Sequence, residues 1–371
     1  MGRPPKNKEI GEENNNEEDQ IERLLKQKEF SGLHYGCRSG TEIETQDLIT
    51  TSSYLFDYVL GGGYRSGSWA RFYGDPETGK SSMGLCWARN WQEFWNEDGF
   101  ALIFNAEGRI TKDLIDRTGI HTEGNRFRII DCNNADVIFT LIERLLNDNP
   151  KELKYFVMID STDACQRSID ITKNLGESEK IGGSAAIQSA AGKRLSLLFN
   201  RRKHFLYMSS QVRDKLNTQS PGVQGKDASG GNAPKFYNSL VGQIQKPWTD
   251  TLIYENPSDK KSKIIGRLVS IKLIKTPNEK TGEIVQFPCK HGLKGGIWKN
   301  YEAMMICQAW EFYKKENQTW WYVTEQFAEE LKSKNIQFQD KFQGERQMRD
   351  YFDSNNDLTN YSFEKLKNII S

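Results

Sequence analysis

The sequence contains few of the residues that build metal centres or disulfide frameworks. Only four of its 371 residues are histidines, and its six cysteines are scattered without a C-x-x-C pair. This pattern argues against a structural zinc and favours a reduced protein with buried thiols. Long apolar runs are also missing, including at the N-terminus, which argues against secretion and membrane insertion. We therefore expect a cytoplasmic protein without a membrane partner.

The charge balance offers no overall attraction for nucleic acid. There are 51 basic and 50 acidic residues, which gives a net charge of +1. Any DNA site must therefore depend on local clusters of basic residues. The length of 371 residues is sufficient for one large α/β domain and a smaller lobe.

The N-terminal part differs in composition from the rest. Residues 1–20 are polar, with a run of Asn and acidic residues between Glu12 and Asp19, and we expect them to be disordered. Ile21, Leu24 and Leu25 then follow helical spacing, up to about Phe30. Such a short amphipathic helix needs a partner surface, either on a neighbouring subunit or on its own core. We assign residues 1–45 to a disordered tail and an N-terminal oligomerisation segment.

From Thr50 onwards, short β-rich apolar runs alternate with helical patterns. Ser52 or Ser53 is suited to cap a helix that ends at the glycines after Leu60. Near-continuous apolar runs are typical of parallel strands covered on both faces, so the alternation predicts a doubly wound parallel sheet. The runs are Trp69–Tyr73, Ala101–Phe104, Phe127–Ile130, Tyr155–Ile159 and Phe205–Met208. The apolar stripes of the helices between them are Met83, Trp87, Trp91 and Phe94, and then Val137, Leu141 and Leu145.

After Thr249 the pattern changes twice. Strands are predicted over Thr251–Tyr254, Leu268–Ile274 and Glu283–Pro288. A helical pattern returns from Tyr301, with Ile306, Trp310 and Tyr313 on one face, and an aromatic hairpin follows around Trp320–Val323. We place a domain boundary near Gly295-Gly296, which gives a core over residues 46–297 and a C-terminal lobe over residues 298–371.

The strongest motif is a phosphate-binding loop that follows a strand and opens a helix. Its glycines allow a tight turn, and its amides and the helix N-terminus face the phosphates. Lys80 would reach the β- and γ-phosphates of ATP, and the Ser81 hydroxyl would ligate Mg²⁺. The loop reads Gly74-Asp75-Pro76-Glu77-Thr78-Gly79-Lys80-Ser81 and is followed by Ser82, in agreement with G-x-x-x-x-G-K-[ST].

Two carboxylates follow predicted strands. Asp160 ends the run that begins at Tyr155, where such ATPases place an acidic residue associated with Mg²⁺. Glu107 follows the run Ala101–Phe104 and could orient or deprotonate an attacking water. Taken without further context, the pattern at Glu107 favours an ordinary loop glutamate.

Several runs in consistent order, over about residues 46–371, resemble the RecA family. The most specific is Gly230-Gly231-Asn232-Ala233-Pro234-Lys235-Phe236-Tyr237, which resembles the end of the family's second DNA-binding loop. Ala106-Glu107, Asp160-Ser161 and the run from Met208 to Arg213 resemble other core motifs of the family. The resemblance implies an α/β RecA-like P-loop ATPase core with a doubly wound, mainly parallel sheet, plus a small α+β C-terminal lobe.

The resemblance also implies an activity. The protein would be a DNA-dependent ATPase that forms a helical filament on single-stranded DNA and exchanges strands with homologous duplex DNA. Its partners would include other copies of the chain, and single-strand-binding and loader proteins are further candidates. Glu107, Lys80 and Gln211 would act in ATP hydrolysis, Gln211 as a sensor of the γ-phosphate. Lys275 resembles a lysine that reaches the ATP of the neighbouring subunit.

The DNA contacts implied by the resemblance lie on two loops and nearby. The first loop would lie near Lys173–Gly183 and the second over about Asp214–Gly230. Cations and hydroxyls there would hold phosphates without reading the base sequence. Phe236 resembles a residue that packs into the neighbouring subunit, although it could be an ordinary core phenylalanine. The residues expected to contact DNA are Ser189, Lys193, Arg213, Gly230, Gly231 and Asn232.

The sequence departs from the family pattern at informative positions. Leu114 stands where the family has a tyrosine that stacks on adenine, and Pro277 stands where it has a second lysine that acts across the subunit interface. Divergence of this extent with retained motifs would suit a phage-encoded relative. A hexameric helicase on the same core is one alternative, but helicases lack the run that begins at Gly230. A recombination mediator that binds ATP structurally is another, and the intact Lys80 and Glu107 argue against it.

Overall fold

The computed structural model describes residues 20–29, 46–172, 183–214, 226–228, 236–317 and 319–370. The chain divides into two compact units, Met1–Thr45 and Gln46–Ser371. The described part of the first unit contains helix α1 (Gln20–Leu25). The helix expected from Ile21, Leu24 and Leu25 is therefore present, but it ends at Leu25 rather than near Phe30.

The second unit begins with a two-stranded antiparallel sheet, β1 (Leu48–Ile49) and β2 (Tyr64–Arg65), which flanks helix α2 (Tyr54–Leu60). The Ser53 hydroxyl accepts a hydrogen bond from the amide of Phe56 and so caps α2. Gly61 ends the helix in the left-handed conformation, with φ 73°. The start and end of this helix that the sequence predicted are confirmed.

A ten-stranded sheet forms the centre of the second unit. Its main path runs β10-β11-β9-β3-β7-β6-β4-β5, with β12 paired to β11 and β8 paired to β7. Six strands form the parallel part of the sheet: β3, β4, β5, β6, β7 and β9. The other four strands, β8, β10, β11 and β12, pair antiparallel with their neighbours. The strands are β3 (Trp69–Gly74), β4 (Gly99–Asn105), β5 (Phe127–Ile130), β6 (Lys154–Asp160), β7 (Phe205–Asp214), β8 (Lys226–Ala228), β9 (Leu240–Ile244), β10 (Leu252–Tyr254), β11 (Ile264–Lys275) and β12 (Ile284–Lys290).

Helices cover both faces of this sheet, as expected for a doubly wound core. Along β6, Phe156 and Met158 join one hydrophobic cluster, whereas Val157 and Ile159 join the other. This alternation explains why the strands read as continuous apolar runs, since neither face meets water. The helices of the core are α3 (Lys80–Trp95), α4 (Lys112–Thr118), α5 (Ala135–Asn147), α6 (Ser168–Ile171) and α7 (Gly183–Arg201).

The buried face of α5 differs from the predicted one. Val137 and Leu141 are exposed, whereas Ile138, Ile142 and Leu146 are fully buried. The helix carries two apolar stripes at i, i+4 spacing that are one residue apart, so periodicity alone did not select between them. The prediction for α3 was correct at Trp87 and Trp91 but wrong at Phe94, which is exposed.

The C-terminal lobe mixes four helices with a three-stranded antiparallel sheet around a third hydrophobic cluster. The helices are α8 (Lys299–Ala309), α9 (Glu325–Ser333), α10 (Gly344–Ser354) and α11 (Asn356–Ile370), and the strands are β13 (Tyr313–Lys315), β14 (Trp320–Val323) and β15 (Lys341–Gln343). Tyr313 lies on β13 and not on the preceding helix, which corrects the predicted helical face. Tyr54 of α2 stacks on Phe363 of the lobe with ring centroids 3.7 Å apart. The domain boundary near residue 297 stays a prediction.

Among the described residues, we find no helix that combines the length and the apolar character needed to cross a membrane.

Candidate functional site

The phosphate-binding loop lies at the carboxyl end of β3, which is flanked by β9 and β7 in the sheet. Gly74, the last residue of β3, pairs with Gln211 of β7 on one side and Ile244 of β9 on the other. A Cβ at Gly74 would lie 2.5 Å from the carbonyl oxygen of Ile244, so only glycine fits there. Gly79 has φ 99° and turns the chain into α3. Strand, turn and helix therefore occur in the order that the loop motif requires.

Lys80 lies against its own loop. Its Nζ donates hydrogen bonds to the carbonyl oxygens of Gly74, at 2.9 Å, and Asp75, at 2.7 Å. Burial lowers the pKa of Lys80 from its usual value, and the carboxylates of Asp160 and Glu107 act in the opposite direction. The backbone of Lys80 is held in turn, because the Tyr207 hydroxyl donates to its carbonyl oxygen at 2.8 Å.

The predicted ATP residues surround one cavity of about 540 Å³. The cavity lies at the carboxyl ends of β3, β4, β6 and β7, where open α/β sheets bind their ligands. Leu114 also lines it, so the position that resembles the family's adenine-stacking tyrosine does face the cavity. The predicted residues that line the cavity are Pro76, Glu77, Gly79, Lys80, Ser81, Ser82, Glu107, Asp160 and Gln211.

Ser81 and Asp160 are the residues predicted to hold Mg²⁺. Asp160 is only 5 % exposed, and its carboxylate accepts a hydrogen bond from the Ser209 hydroxyl, which fixes its orientation. Carboxylate and hydroxyl oxygens are hard ligands of the kind that Mg²⁺ takes, together with water and substrate phosphates. The two side chains therefore fit this ion.

The Glu107 carboxylate contacts three other side chains. Its Oε1 accepts hydrogen bonds from the Ser161 hydroxyl and from Nε2 of Gln211, the latter at 3.3 Å. Its Oε2 lies 3.3 Å from Nη1 of Arg109. The backbone amides of Ala106 and Glu107 both donate to the carbonyl oxygen of Asp160, which ties the ends of β4 and β6 together. Glu107 is therefore held in the cavity by several contacts, unlike an ordinary loop glutamate.

Three arginines line the cavity that were not among the predicted site residues: Arg109, Arg117 and Arg267. Arg109 follows Glu107 by only two positions, but it belongs to none of the motifs recognised in the sequence. Arg267 of β11 donates to the carbonyl oxygens of Glu77 and Thr78, both at 3.3 Å, and lines the same cavity. Arg267 precedes the strand predicted at Leu268, and no local pattern links it to the loop.

Lys275 lies at the other end of β11 from Arg267, opposite Val241 of β9. Its Nζ donates to the carbonyl oxygen of Phe236 at 3.3 Å, and burial lowers its pKa. Phe236 is 78 % exposed, so the alternative of an ordinary core phenylalanine is wrong, and its contact with a neighbouring subunit stays a prediction. Lys275 is not part of its own chain's cavity, and its predicted role in a neighbouring subunit stays a prediction.

The predicted DNA contacts are only partly within the described residues. Ser189 and Lys193 lie on α7, one helical turn apart, and Lys193 is exposed. Arg213 lies on β7, two residues after Gln211. Strand β8 pairs antiparallel with the end of β7, with Arg213 opposite Asp227. Gly230, Gly231 and Asn232, and most of the first loop (residues 173–182), lie outside the described residues.

Comparison with known proteins supports the resemblance. The model of the RecA N-terminal domain family matches residues 19–286. The RecA proteins of Desulforapulum autotrophicum and Helicobacter hepaticus are each 24% identical, over 72% and 75% of this chain and 77% and 82% of their own length. The RecA protein of Leptospira meyeri is 24% identical over 82% of this chain and 79% of its own. Because the family model covers more than half of its length, the chain belongs to the RecA family of DNA recombination and repair proteins.

Proposed function

We propose that this protein is an ATP-dependent DNA recombinase, which forms a filament on single-stranded DNA and exchanges strands with a homologous duplex. One observation carries the proposal: the strand that brings Gln211 to Glu107 continues directly into the second loop. A single element therefore joins the candidate hydrolytic carboxylate to the candidate DNA-binding segment.

Hydrolysis would use the residues around the cavity. The loop amides and Lys80 would hold the phosphates, and Glu107 would orient the attacking water and accept its proton. Ser161 would keep the Glu107 carboxylate pointed into the cavity during hydrolysis, and Gln211 would add to this restraint until ATP binds. Ser81 and Asp160 would hold Mg²⁺, which, when bound, neutralises charge on the phosphates.

Coupling to DNA would run through β7. A carboxamide at Gln211 that changes partner from Glu107 to a γ-phosphate would shift the strand end on which Arg213 lies. The backbone amide of Gln211 already donates to Oδ2 of Asp163 at 2.6 Å, so the backbone is held while the side chain can exchange partners. Ordering of the adjoining segment by a phosphate is a known type of switch.

The DNA contacts would be to the backbone and independent of base sequence. Lys193 and Arg213 would neutralise phosphates, Ser189 would donate a hydrogen bond, and Gly230 to Asn232 would let the strand approach closely. Base pairing between the two DNA molecules would then provide the specificity.

Assembly into a filament would bury the surface formed by Phe236 and Lys275. An aromatic side chain that is 78 % exposed is costly to leave in water, and the lysine beside it could reach the ATP of the next subunit. Pro277 stands where the family has a second lysine that acts across the subunit interface, so Lys275 would be the single cation at this place.

Electron microscopy of the full chain with ATP and single-stranded DNA tests the proposal. We expect helical filaments that depend on ATP and are lost in Phe236→Ala, but kept in Phe94→Ala, which removes an exposed phenylalanine of α3. Closed rings would instead support a hexameric helicase. Strand annealing without filaments that survives Lys80→Ala would support a mediator that binds ATP structurally.

A further inference from the structure

Arg109 is a cavity residue to which the family resemblance assigns no role. Its backbone is firmly placed: the amides of Arg109 and Ile110 donate to Oδ1 of Asn105 at 3.0 and 3.3 Å. Asn105 is itself buried and donates to Oδ1 of Asp131 at 2.7 Å. The start of the side chain is therefore fixed at the rim of the cavity.

The guanidinium end, in contrast, is free to move. The Arg109 side chain is 71 % exposed, and its ion pair with Glu107 is monodentate at 3.3 Å. The Glu107 side chain is only 15 % exposed, but water screens the charge of the exposed guanidinium, and the long arginine side chain loses entropy when it is held, so the ion pair is weak. A change of partner by the guanidinium would therefore cost little.

Arg109 and Gln211 contact the same carboxylate through different oxygens. Gln211 donates to Oε1 of Glu107, while Arg109 lies next to Oε2. Both line the cavity together with Lys80 and Ser81 of the phosphate loop. A donor placed beside the group that orients the attacking water is close to where the terminal phosphate must lie, since that water attacks the phosphorus in line.

A guanidinium suits this place chemically. It stays charged at any physiological pH, and its planar fork of N–H donors matches two oxygens of a phosphate. Charge on the equatorial oxygens of the transferred phosphoryl group is what cations at such sites stabilise in the transition state.

We propose that Arg109 is a catalytic residue of ATP hydrolysis, which exchanges Glu107 for the γ-phosphate when ATP binds. The proposal rests on the ATPase activity proposed above. The water oxygen forms a bond to the γ-phosphorus, and the bond from that phosphorus to the β,γ-bridging oxygen breaks, leaving its electron pair on ADP. The proton of the water passes to Glu107, whose Oε2 is available once Arg109 has moved. Arg109 thus stabilises the phosphoryl group and gives Glu107 its freedom to act as a base.

The test compares Arg109→Ala and Arg109→Lys with wild type and with Arg346→Ala. Arg346 is also exposed and lies 3.8 Å from a carboxylate, Asp350, but on α10 of the C-terminal lobe. Two quantities are measured on the full chain: the dissociation constants of fluorescent ADP and non-hydrolysable ATP analogues, and kcat for ATP with single-stranded DNA.

For Arg109→Ala we expect unchanged ADP binding, about tenfold weaker binding of the ATP analogue, and a fall in kcat of about 100-fold. Arg109→Lys should recover part of kcat, because it keeps the charge without the fork, and Arg346→Ala should match wild type. Equal losses for ADP and the ATP analogue would overturn the proposal, since they would mean a general distortion of the site. A kcat that is unchanged or higher in Arg109→Ala would also overturn it and leave Arg109 as a restraint on Glu107.

The proposed function fails in a different way. Wild-type protein that binds no ATP, or binds it without hydrolysis in the presence of DNA, would overturn the ATPase activity and the role of Arg109 with it. Wild-type hydrolysis with no effect of Arg109→Ala would overturn only the role of Arg109.

Discussion

Gln211 donates a hydrogen bond from Nε2 to Oε1 of Glu107 at 3.3 Å, although 104 positions separate the two residues. The contact joins the ends of β4 and β7 across the cavity. It is the physical basis for a connection between ATP hydrolysis and the DNA-binding segment that follows β7.

Gln211→Ala should uncouple the two activities. Removal of the carboxamide leaves the phosphate loop intact, so ATP binding should stay within about twofold of wild type. Stimulation of hydrolysis by single-stranded DNA should be lost, because nothing then transmits the state of the γ-phosphate to β7. ATPase assays with and without DNA check this, and Gln343→Ala in the C-terminal lobe is the matched control. Full DNA stimulation in Gln211→Ala would contradict this role.

Arg267→Ala should weaken the binding of ATP by the phosphate loop. Loop amides can face the phosphates only while the carbonyls point away, and Arg267 donates to two of those carbonyls. We expect the KM for ATP to rise about tenfold with kcat changed less than threefold, since loss of hydrogen bonds to a charged, partly exposed group is worth about 1–2 kcal/mol. Lys272→Ala, an exposed lysine on the same strand, should leave both constants unchanged. A fall in kcat at constant KM would show a different role.

Lys193→Ala should change the salt dependence of DNA binding. Each phosphate neutralised on a single strand contributes about 0.7 to the slope of log affinity against log salt. Binding measured over a salt series should therefore lose about that amount of slope, without gaining a preference for base sequence. Lys332→Ala, an exposed lysine on α9, provides the control. An unchanged slope would remove Lys193 from the set of phosphate contacts.

Glu302 should make the free energy of unfolding depend on pH. It is fully buried at the junction of α8 and α2, where its Oε1 accepts hydrogen bonds from the Ser53 hydroxyl and the Leu55 amide, and burial raises its pKa to about 7. Folded protein therefore binds this proton more tightly than unfolded protein does. The contribution of this proton to the free energy of unfolding is fully present below the ordinary pKa of a glutamate, and it is lost as the pH rises to about 7.

Glu302→Gln mimics the protonated side chain and should remove this dependence. The free energy of unfolding of the variant should exceed that of wild type above pH 7 by up to about 3 kcal/mol, and the difference should shrink as the pH falls towards 5. Chemical denaturation at several pH values measures it, with the exposed Glu316→Gln as control. A constant difference between variant and wild type at all pH values would contradict the assignment.

Much of the core could be predicted because its chemistry lies at strand ends. The phosphate loop is contiguous, and Asp160 and Glu107 follow buried strands, whose carboxyl ends meet at one edge of the sheet. The order of the motifs along the chain also identified the family. Gln211 could be placed only through that resemblance, since a glutamine after a strand has no pattern of its own.

The remaining features depend on tertiary packing. Arg267 reaches the loop because β11 lies two strands from β3, and the sequence pattern does not reveal the order of strands in the sheet. The buried face of α5 depends on how the helix settles on the sheet, because Val137 and Ile138 begin equally apolar stripes. Burial of Glu302 follows from the packing of the lobe on α2, which no local pattern in either segment indicates.

The coupling of ATP hydrolysis to DNA is tested most directly by the rate of ATP hydrolysis by the full chain with and without single-stranded DNA, measured beside Lys80→Ala. We expect strong stimulation by DNA and loss of activity in the variant, because Gln211 connects Glu107 to the DNA-binding segment. Hydrolysis that is indifferent to DNA would contradict that connection, and hydrolysis that survives Lys80→Ala would show that the phosphate loop is not the site.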